Sequence, residues 1–228
     1  MSTIADNIAQ VSSRIQAAAK AAHRDENSIQ LLAVSKTKPA EALREAYAAG
    51  IRDFGENYLQ EALGKQLELA DLPLIWHFIG PIQSNKTRAI AEHFDWVHSV
   101  DRLKIAQRLS EQRPAELPPL NICIQVNVSG EASKSGCTPD DLPALAAAIS
   151  ALPRLKLRGL MAIPEPTDDR AEQDAAFAAV QKLQASLDLP LDTLSMGMSH
   201  DLESAIAQGA TWVRIGTALF GARDYSQS

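Results

Sequence analysis

The chain has 228 residues and a formal net charge of −6; 46% of its residues are hydrophobic and 5% are aromatic. This length fits one large domain or two small ones, and the composition supports an ordinary, mainly aliphatic core. The acidic balance argues against a nucleic-acid partner bound through a broad basic surface. The two cysteines, Cys123 and Cys137, do not suggest a disulfide framework and indicate free thiols in a reducing compartment.

The sequence is not expected to carry a signal for export or membrane insertion. Asp6 and Asn7 lie where a signal peptide needs an apolar core, and no segment is long and apolar enough to span a bilayer. We therefore expect a cytoplasmic protein with no membrane partner.

Short apolar segments that favour strands recur along the chain, and helical segments lie between them. The predicted strands are Leu31–Ser35, Arg52–Glu56, Ile75–Gly80, Trp96–Val100, Asn121–Val126, Lys156–Ile163, Thr193–Met198 and Trp212–Gly216. The clearest predicted helices are Ala40–Ala49, Asp140–Ala151, Arg170–Leu187 and Leu202–Gln208. Strands that alternate with helices in this way predict an α/β fold, a single (β/α)8 TIM barrel. A doubly wound open sheet is the alternative.

An additional helix is predicted before the first strand. Ile4, Ile8, Val11 and Ile15 recur at helical spacing and give this segment one apolar face. We expect residues 1–25 to form an N-terminal helix that packs on the barrel, and the whole chain, 1–228, to be one domain.

Lys36 lies directly after the first predicted strand. Side chains alternate along a strand, so Leu32, Val34 and Lys36 share one face. An amine at the end of a buried apolar face is costly to keep charged, and the neutral amine is the nucleophile that forms a Schiff base with a carbonyl compound. The alternative is a strand-end lysine that extends to water.

The last two predicted strands end in groups that suit an anion. In a TIM barrel, phosphate is often bound by the loops after strands seven and eight. Ser199 follows strand seven where a helix begins, so it is either part of a phosphate site or a simple helix cap. Gly216 and Thr217 follow strand eight, where a residue without a side chain lets the backbone amides approach a ligand. A plain turn is the alternative for Gly216.

Arg214 is predicted to face the interior of the barrel. Val213 and Ile215 form an apolar pair that suits the outer helices, which places Arg214 on the opposite face with Trp212. A buried guanidinium needs a partner, so Arg214 faces either a ligand or an internal carboxylate.

These segments resemble, in order, the motifs of the pyridoxal phosphate homeostasis proteins (the YggS/PROSC family). The resemblance runs from the first strand to the C-terminus and rests on Val34–Pro39, Phe54–Tyr58, Trp76–Gly80 with Gln83 and Asn85–Lys86, Gly159–Met161, Ser195–Ser199 with Asp201, and Arg214–Thr217 through Phe220–Gly221. It implies a barrel like the N-terminal domain of alanine racemase that binds pyridoxal 5′-phosphate (PLP).

The resemblance also implies the roles of individual residues. The implied cofactor-binding residues are Lys36, Ser199, Arg214, Gly216, Thr217, Asn57 and Met161. Lys36 would hold PLP as a Schiff base, Arg214 would face the pyridine nitrogen, and Ser199, Gly216 and Thr217 would bind the phosphate. Asn57 and Met161 would line the pocket.

The implied function is PLP (vitamin B6) homeostasis, in which PLP is buffered or delivered with little or no catalytic turnover. Arginine cannot accept a proton, so Arg214 favours an unprotonated ring that is a weak electron sink. Racemisation also needs a second acid or base, which fold-related racemases take from a further domain; this chain ends at Ser228, shortly after strand eight. The alternative is a PLP-dependent amino-acid enzyme with weak racemase activity.

The expected ligand is PLP, and apo PLP-dependent enzymes and amino acids are further candidate partners of an expected monomer. No metal site is expected, because the histidines and cysteines lack the spacing of known zinc motifs. Segment 80–87 resembles a nucleotide-binding P-loop, but Pro81 and Asn85 break the motif, and a rim loop is favoured. His77 is either directed to the site or a core histidine. Lys134 is either a second PLP acceptor or a solvated loop charge, and the latter is favoured.

Overall fold

The computed structural model describes residues 2–131 and 135–222. Eight parallel strands form a closed barrel in chain order. They are β1 (Gln30–Val34), β2 (Asp53–Glu56), β3 (Ile75–Phe78), β4 (Trp96–Val100), β5 (Leu120–Gln125), β6 (Leu155–Met161), β7 (Thr193–Ser195) and β8 (Trp212–Ile215). Because β8 pairs with β1, with Leu32 opposite Arg214, the (β/α)8 barrel is confirmed and the open-sheet alternative is wrong.

Helices connect the strands and cover the outside of the barrel. In the described ranges they are α1 (Ile4–Ala21), α2 (Ala40–Ala48), α3 (Leu59–Glu68), α4 (Thr87–His93), α5 (Leu103–Gln112), α6 (Leu142–Ser150), α7 (Arg170–Ala185), α8 (Leu202–Ala207) and α9 (Thr217–Phe220). None of the described helices is both long enough and apolar enough to cross a bilayer.

The alternation of side chains along the strands creates two apolar layers. Outward-facing residues such as Ala33, Val213 and Ile215 pack against the helices in the main core. Inward-facing residues form a smaller cluster inside the barrel, which comprises Leu32, Ile79, Trp96, Cys123, Met161 and Trp212. Val34 packs on this inner cluster, which therefore forms the floor of the C-terminal end of the barrel.

Helix α1 packs outside α8 and α9 and supports the loop after β7. Its first turn has a reciprocal capping box between Thr3 and Asp6, which satisfies backbone groups at the helix start. Farther along α1, Arg14 pairs with Glu203 at 2.8 Å and donates to the backbone oxygen of Ser199 at 2.7 Å. The additional helix is thus tied to a predicted site loop.

Five strands are shorter than predicted: β3 by two residues, β7 by three, and β2, β6 and β8 by one each. Strand β3 ends at Phe78, and β7 ends at Ser195, so the residues that follow leave the sheet earlier than the apolar pattern suggests. Beyond β7 the backbone turns at Gly197, which has a φ of +101°. A Cβ there would lie 2.6 Å from that of Ala205, so only glycine fits this close packing against α8.

Candidate functional site

A cavity of about 750 Å³ opens at the C-terminal ends of β1 and β8. Six of the seven predicted site residues line it, namely Lys36, Asn57, Ser199, Arg214, Gly216 and Thr217. Apolar side chains, among them Val34 and Ile79, complete the wall next to the inner cluster. An apolar cavity with a few convergent polar groups is typical of a small-molecule site.

The turn that carries Lys36 is held in an unusual conformation. Lys36 is half-buried, and Thr37 has a φ of +66°, which is rare for a β-branched residue. The N–H of Thr37 donates to Glu61 at 2.5 Å, and the N–H of Lys38 donates to the backbone oxygen of Ser35 at 3.1 Å. The lysine therefore projects from a turn whose backbone is fixed on both sides.

A buried ion cluster lies behind this turn. The Nζ atom of Lys65 is 2.7 Å from carboxylate oxygens of Glu56 and Glu61, and it donates to the backbone oxygen of Ser35 at 2.7 Å. Burial raises the pKa of the Glu56 carboxyl, and the neighbouring charge of Lys65 opposes that shift. Sequence reasoning missed this cluster, although Lys65 lies at helical spacing from Leu59 and Ala62 on the buried face of α3.

Arg214 is the buried cation of the site. It is 4% exposed and donates to the hydroxyl of Ser195 at 2.7 Å and to the backbone oxygen of Ala162 at 3.0 Å. Burial lowers the pKa of Arg214 to about 10, while the charge of Asp201 opposes the shift. The guanidinium is therefore charged at neutral pH beside the cavity.

The loops after β7 and β8 bring two helix starts to the cavity wall. The carboxylate of Asp201 accepts from the N–H of Met198 at 2.6 Å and shapes the loop that contains Ser199. Gly216 caps the N-terminus of α9, which begins at Thr217. The N-terminal ends of helices favour anions, so these loops suit a phosphate group.

The two residues predicted to line the pocket occupy different places. Asn57 lines the cavity, and its buried Oδ1 has no hydrogen-bond partner among the described residues. Met161 is fully buried in the inner cluster and is not among the described residues that line the cavity. Met161 therefore forms part of the apolar floor below the cavity.

The segment that resembles a P-loop has a packing explanation. A Cβ at Gly80 would lie 2.6 Å from the backbone oxygen of Asn57, so the glycine permits close contact between the loops after β2 and β3. This close contact is consistent with a rim loop.

His77 is a core histidine that lies beneath the cavity. Its ring is fully buried, stacks on Trp96 and is hydrogen-bonded to Asp53 and His98. Lys134 lies outside the described residues. Within residues 2–131 and 135–222, no group of three or more His, Cys, Asp or Glu side chains could hold a metal ion.

Residues 4–224 match the family model for the N-terminal domain of alanine racemase. A pyridoxal phosphate homeostasis protein from Pseudomonas aeruginosa is 78% identical over 225 residues, which cover 99% of this chain and 98% of that protein. The chain belongs to the pyridoxal phosphate homeostasis protein family. The member from Escherichia coli (strain K12) is 56% identical over 237 residues, which cover all of both chains. The family resemblance of the sequence motifs is thereby confirmed.

Solved structures carry the same barrel. PipY of Synechococcus elongatus, solved with PLP bound, is 45% identical and superposes with a TM-score of 0.85, covering 96% of this chain and 100% of that one. Alanine racemase from Corynebacterium glutamicum is 18% identical, with a TM-score of 0.70, and covers 96% of this chain but 62% of the racemase. The racemase comparison shows a common fold.

Proposed function

We propose that this chain binds PLP and acts in PLP homeostasis, holding PLP as a Schiff base on Lys36 and buffering or delivering it with little or no turnover. The observation that carries this proposal is the convergence, in one cavity, of the Lys36 amine, the buried cation of Arg214 and the two phosphate-type loops. The family membership and the PLP-bound structure of PipY support it.

The residues of the cavity fit PLP in size and in chemistry. Its volume of about 750 Å³ lies within the range of small-molecule sites, roughly 300–1,000 Å³. When bound, PLP supplies an aldehyde that condenses with a primary amine, with loss of water, and a ring that withdraws electrons. Lys36 offers that amine from a fixed turn, and the mainly apolar wall suits the face of a ring.

Each remaining side chain has a binding role in this proposal. Ser199, Gly216 and Thr217 hold the phosphate through a hydroxyl and backbone amides, and Arg214 faces the pyridine nitrogen. Asn57 lines the pocket. Met161 belongs to the proposed cofactor site as part of its floor, since its side chain lies in the inner cluster below the cavity wall.

The role of a carrier follows from the chemistry of Arg214. A guanidinium can donate to the ring nitrogen but cannot accept a proton from it, so this chain does not stabilise a protonated, strongly withdrawing ring. We expect exchange of the α-proton of L- and D-alanine to be far slower than ordinary enzyme turnover, measured by NMR in deuterated buffer. Exchange at about 10 s⁻¹, an ordinary enzyme rate, would instead support the racemase alternative.

The cellular setting completes the proposal. The chain acts as a single PLP-binding domain, 1–228, in which the N-terminal helix braces the barrel, and it works as a cytoplasmic monomer. Its partners are PLP and apo PLP-dependent enzymes that receive the cofactor, and amino acids are candidate ligands of the loaded protein.

The attachment of PLP to Lys36 can be tested by chemical trapping. We expect borohydride reduction of the PLP-loaded protein to fix the label on the peptide that contains Lys36, because reduction makes the Schiff base irreversible. Peptide mass spectrometry locates the label. Lys36→Ala should remove both the label and the yellow colour.

Lys38→Ala is the matched control for this experiment. Lys38 lies two residues away in the same turn, and its amine donates to the backbone oxygen of Ala222 at 3.0 Å. The control variant should retain the label at Lys36. Stoichiometric labelling of the Lys36→Ala protein at another lysine would refute the assignment.

A further inference from the structure

Five polar side chains form a continuous hydrogen-bonded chain through the interior of the barrel. Asp53 contacts Nε2 of His77 at 2.8 Å, and Nδ1 of His77 contacts Nε2 of His98 at 2.9 Å. Nδ1 of His98 contacts Oγ of Ser195 at 2.8 Å, and that oxygen accepts from Arg214 at 2.7 Å. We call these five residues the interior relay.

The interior relay joins the two ends of the barrel. Asp53 is the first residue of β2, so it lies at the N-terminal end of the strands, where its side chain is 20% exposed. Arg214 lines the cavity at the C-terminal end. The other three members are 0% exposed and come from three further strands, β3, β4 and β7. A partly exposed carboxylate is thus connected to the cavity through a fully buried path.

When both histidines are neutral, the chemistry of the two end groups imposes one direction on every hydrogen bond. A guanidinium only donates, and a carboxylate only accepts. At the carboxylate end, Nε2–H of His77 must donate to Asp53, so Nδ1 of a neutral His77 accepts from Nε2–H of His98. Nδ1 of a neutral His98 then accepts from the hydroxyl of Ser195, whose oxygen accepts from Arg214.

The number of protons matches the number of contacts when both histidines are neutral. One proton each from Arg214, Ser195, His98 and His77 fills the four contacts of the interior relay. A second proton on either histidine would place two N–H groups opposite each other or leave Ser195 without an acceptor. Burial lowers the pKa of His77 and lowers that of His98 well below its usual range, which favours the neutral forms.

Packing holds the interior relay in place. The ring of His77 stacks on Trp96 at a centroid distance of 5.4 Å and contacts the edge of Trp212 at 4.9 Å. Arg214 is held by a second acceptor, the backbone oxygen of Ala162. The guanidinium therefore has two of its five N–H donors in defined protein contacts, and its orientation is set from below the cavity.

We propose that Asp53, His77, His98 and Ser195 are positioning residues, which fix the orientation of Arg214 so that it presents a donor to the ring nitrogen of a bound pyridoxal group. This inference rests on the proposed function, because it requires PLP in the cavity. It assigns an effect on the cofactor to Asp53, which lies at the opposite end of the barrel.

The direction of the interior relay can be tested without PLP. We expect ¹⁵N NMR of the unloaded protein, labelled at histidine side chains, to show His77 and His98 as neutral Nε2–H tautomers at pH 7. Histidine-to-glutamine variants assign the two signals. An Nδ1–H tautomer or a doubly protonated ring at either position would overturn the proposed direction, whether or not the protein binds PLP.

The effect on PLP can be tested with Asp53→Asn and Ser195→Ala. An amide can donate as well as accept, so Asp53→Asn no longer imposes one direction, and Ser195→Ala removes the link to Arg214. We expect PLP affinity to fall on the order of ten-fold in each variant, as metal affinity does when the hydrogen-bond partner that orients a metal ligand is removed. We also expect the absorption maximum of the bound cofactor to shift. Absorbance titration measures both.

The control is Asp192→Asn, which, like Asp53→Asn, replaces a carboxylate by an amide. Asp192 lies just before β7 and outside the interior relay, and it pairs with Arg158 at 2.9 Å. It should leave affinity and spectrum unchanged. If only Ser195→Ala changes the affinity and the absorption maximum, the positioning role of Asp53 and the histidines is wrong. If neither variant differs from the unmodified protein, the whole proposal is wrong. If the unmodified protein takes up no PLP, the proposed function fails, while the tautomer measurement still decides the direction of the interior relay.

Discussion

At the scale of single residues, the site depends on what a few side chains present to the cavity and on what supports them. Lys36 and Arg214 supply the amine and the cation, and Gly216 supplies the space next to Val34. Lys36 requires a fixed turn, Arg214 must be a buried donor, and Gly216 must lack a side chain. Such requirements can be tested one atom at a time.

Gly216→Ala should separate binding from folding. Gly216 has a φ of −116°, which other residues adopt, and an added Cβ would meet the Cβ of Val34 at 3.4 Å, an ordinary contact. We expect unchanged thermal stability but a loss of PLP affinity of roughly ten-fold, about 1.4 kcal/mol, because the methyl group occupies space beside the phosphate loop. Absorbance titration measures the affinity.

Gly64→Ala is the matched control, because an added Cβ there has no atom within 4 Å. It should bind PLP as the unmodified protein does. An unchanged affinity in Gly216→Ala would argue against a phosphate at this backbone.

At the scale of elements, α3 supports the turn after β1 through a buried ion cluster. Lys65 reaches from α3 to Glu56 at the end of β2 and to the backbone of Ser35. The same helix contributes Glu61, which accepts from the N–H of Thr37. The position of Lys36 therefore depends on how α3 docks, as well as on β1.

Lys65→Met should be strongly destabilising. Glu56 is fully buried, and removal of the cation leaves its carboxylate without the opposite charge of Lys65. We expect a loss of about 3 kcal/mol or more in the free energy of unfolding, measured by urea denaturation at pH 7.

Arg44→Met provides the comparison, since it breaks the exposed ion pair with Asp71 and should change stability little. Equal stability of the Lys65→Met protein and the unmodified protein would mean that the buried cluster contributes no net stability.

At the scale of the whole molecule, closure of the barrel joins distant parts of the chain into one polar interior. Ser195 and His98 are 97 residues apart in sequence, and they share a hydrogen bond inside the barrel. Such a buried network must be satisfied throughout, because a polar group left without a partner in an apolar interior is costly. The stability of the molecule should therefore depend on the protonation of the buried histidines.

Stability should fall below about pH 6.5, the pKa of an unfolded histidine. The pKa of His98 in the folded protein is well below this value because the ring is buried. Below about pH 6.5, His98 binds a proton in the unfolded chain but not in the folded chain. This difference lowers the free energy of unfolding by up to about 1.4 kcal/mol per pH unit. At higher pH this contribution is constant.

Urea denaturation at pH 7.5 and pH 5.5 measures this dependence. His98→Gln should reduce the slope of stability against pH, whereas His93→Gln, which alters an exposed histidine on α4, should not. A slope that is the same in all three proteins would show that His98 is protonated equally in the folded and unfolded chains.

The barrel, and half of the described residues that line the cavity, could be predicted from the amino-acid sequence. Apolar strands with period-two alternation and intervening helices are local signals, and they predicted the layers as well as the inward direction of Arg214. The motifs beside the strand ends predicted Lys36, Ser199, Gly216 and Thr217, because every parallel strand brings its C-terminal end to the same face of a barrel.

Which distant polar groups meet depends on the tertiary structure. Apart from the Glu61–Lys65 pair, which lies at i,i+4 spacing on α3, the Lys65 cluster and the interior relay join residues from different elements, and no local period encodes such pairs. The position of Met161 also depends on the tertiary structure, because its side chain packs in the inner cluster and is fully buried there. Closing the barrel fixes these distances, and a buried polar side chain reveals its partner only when the surrounding strands are in place.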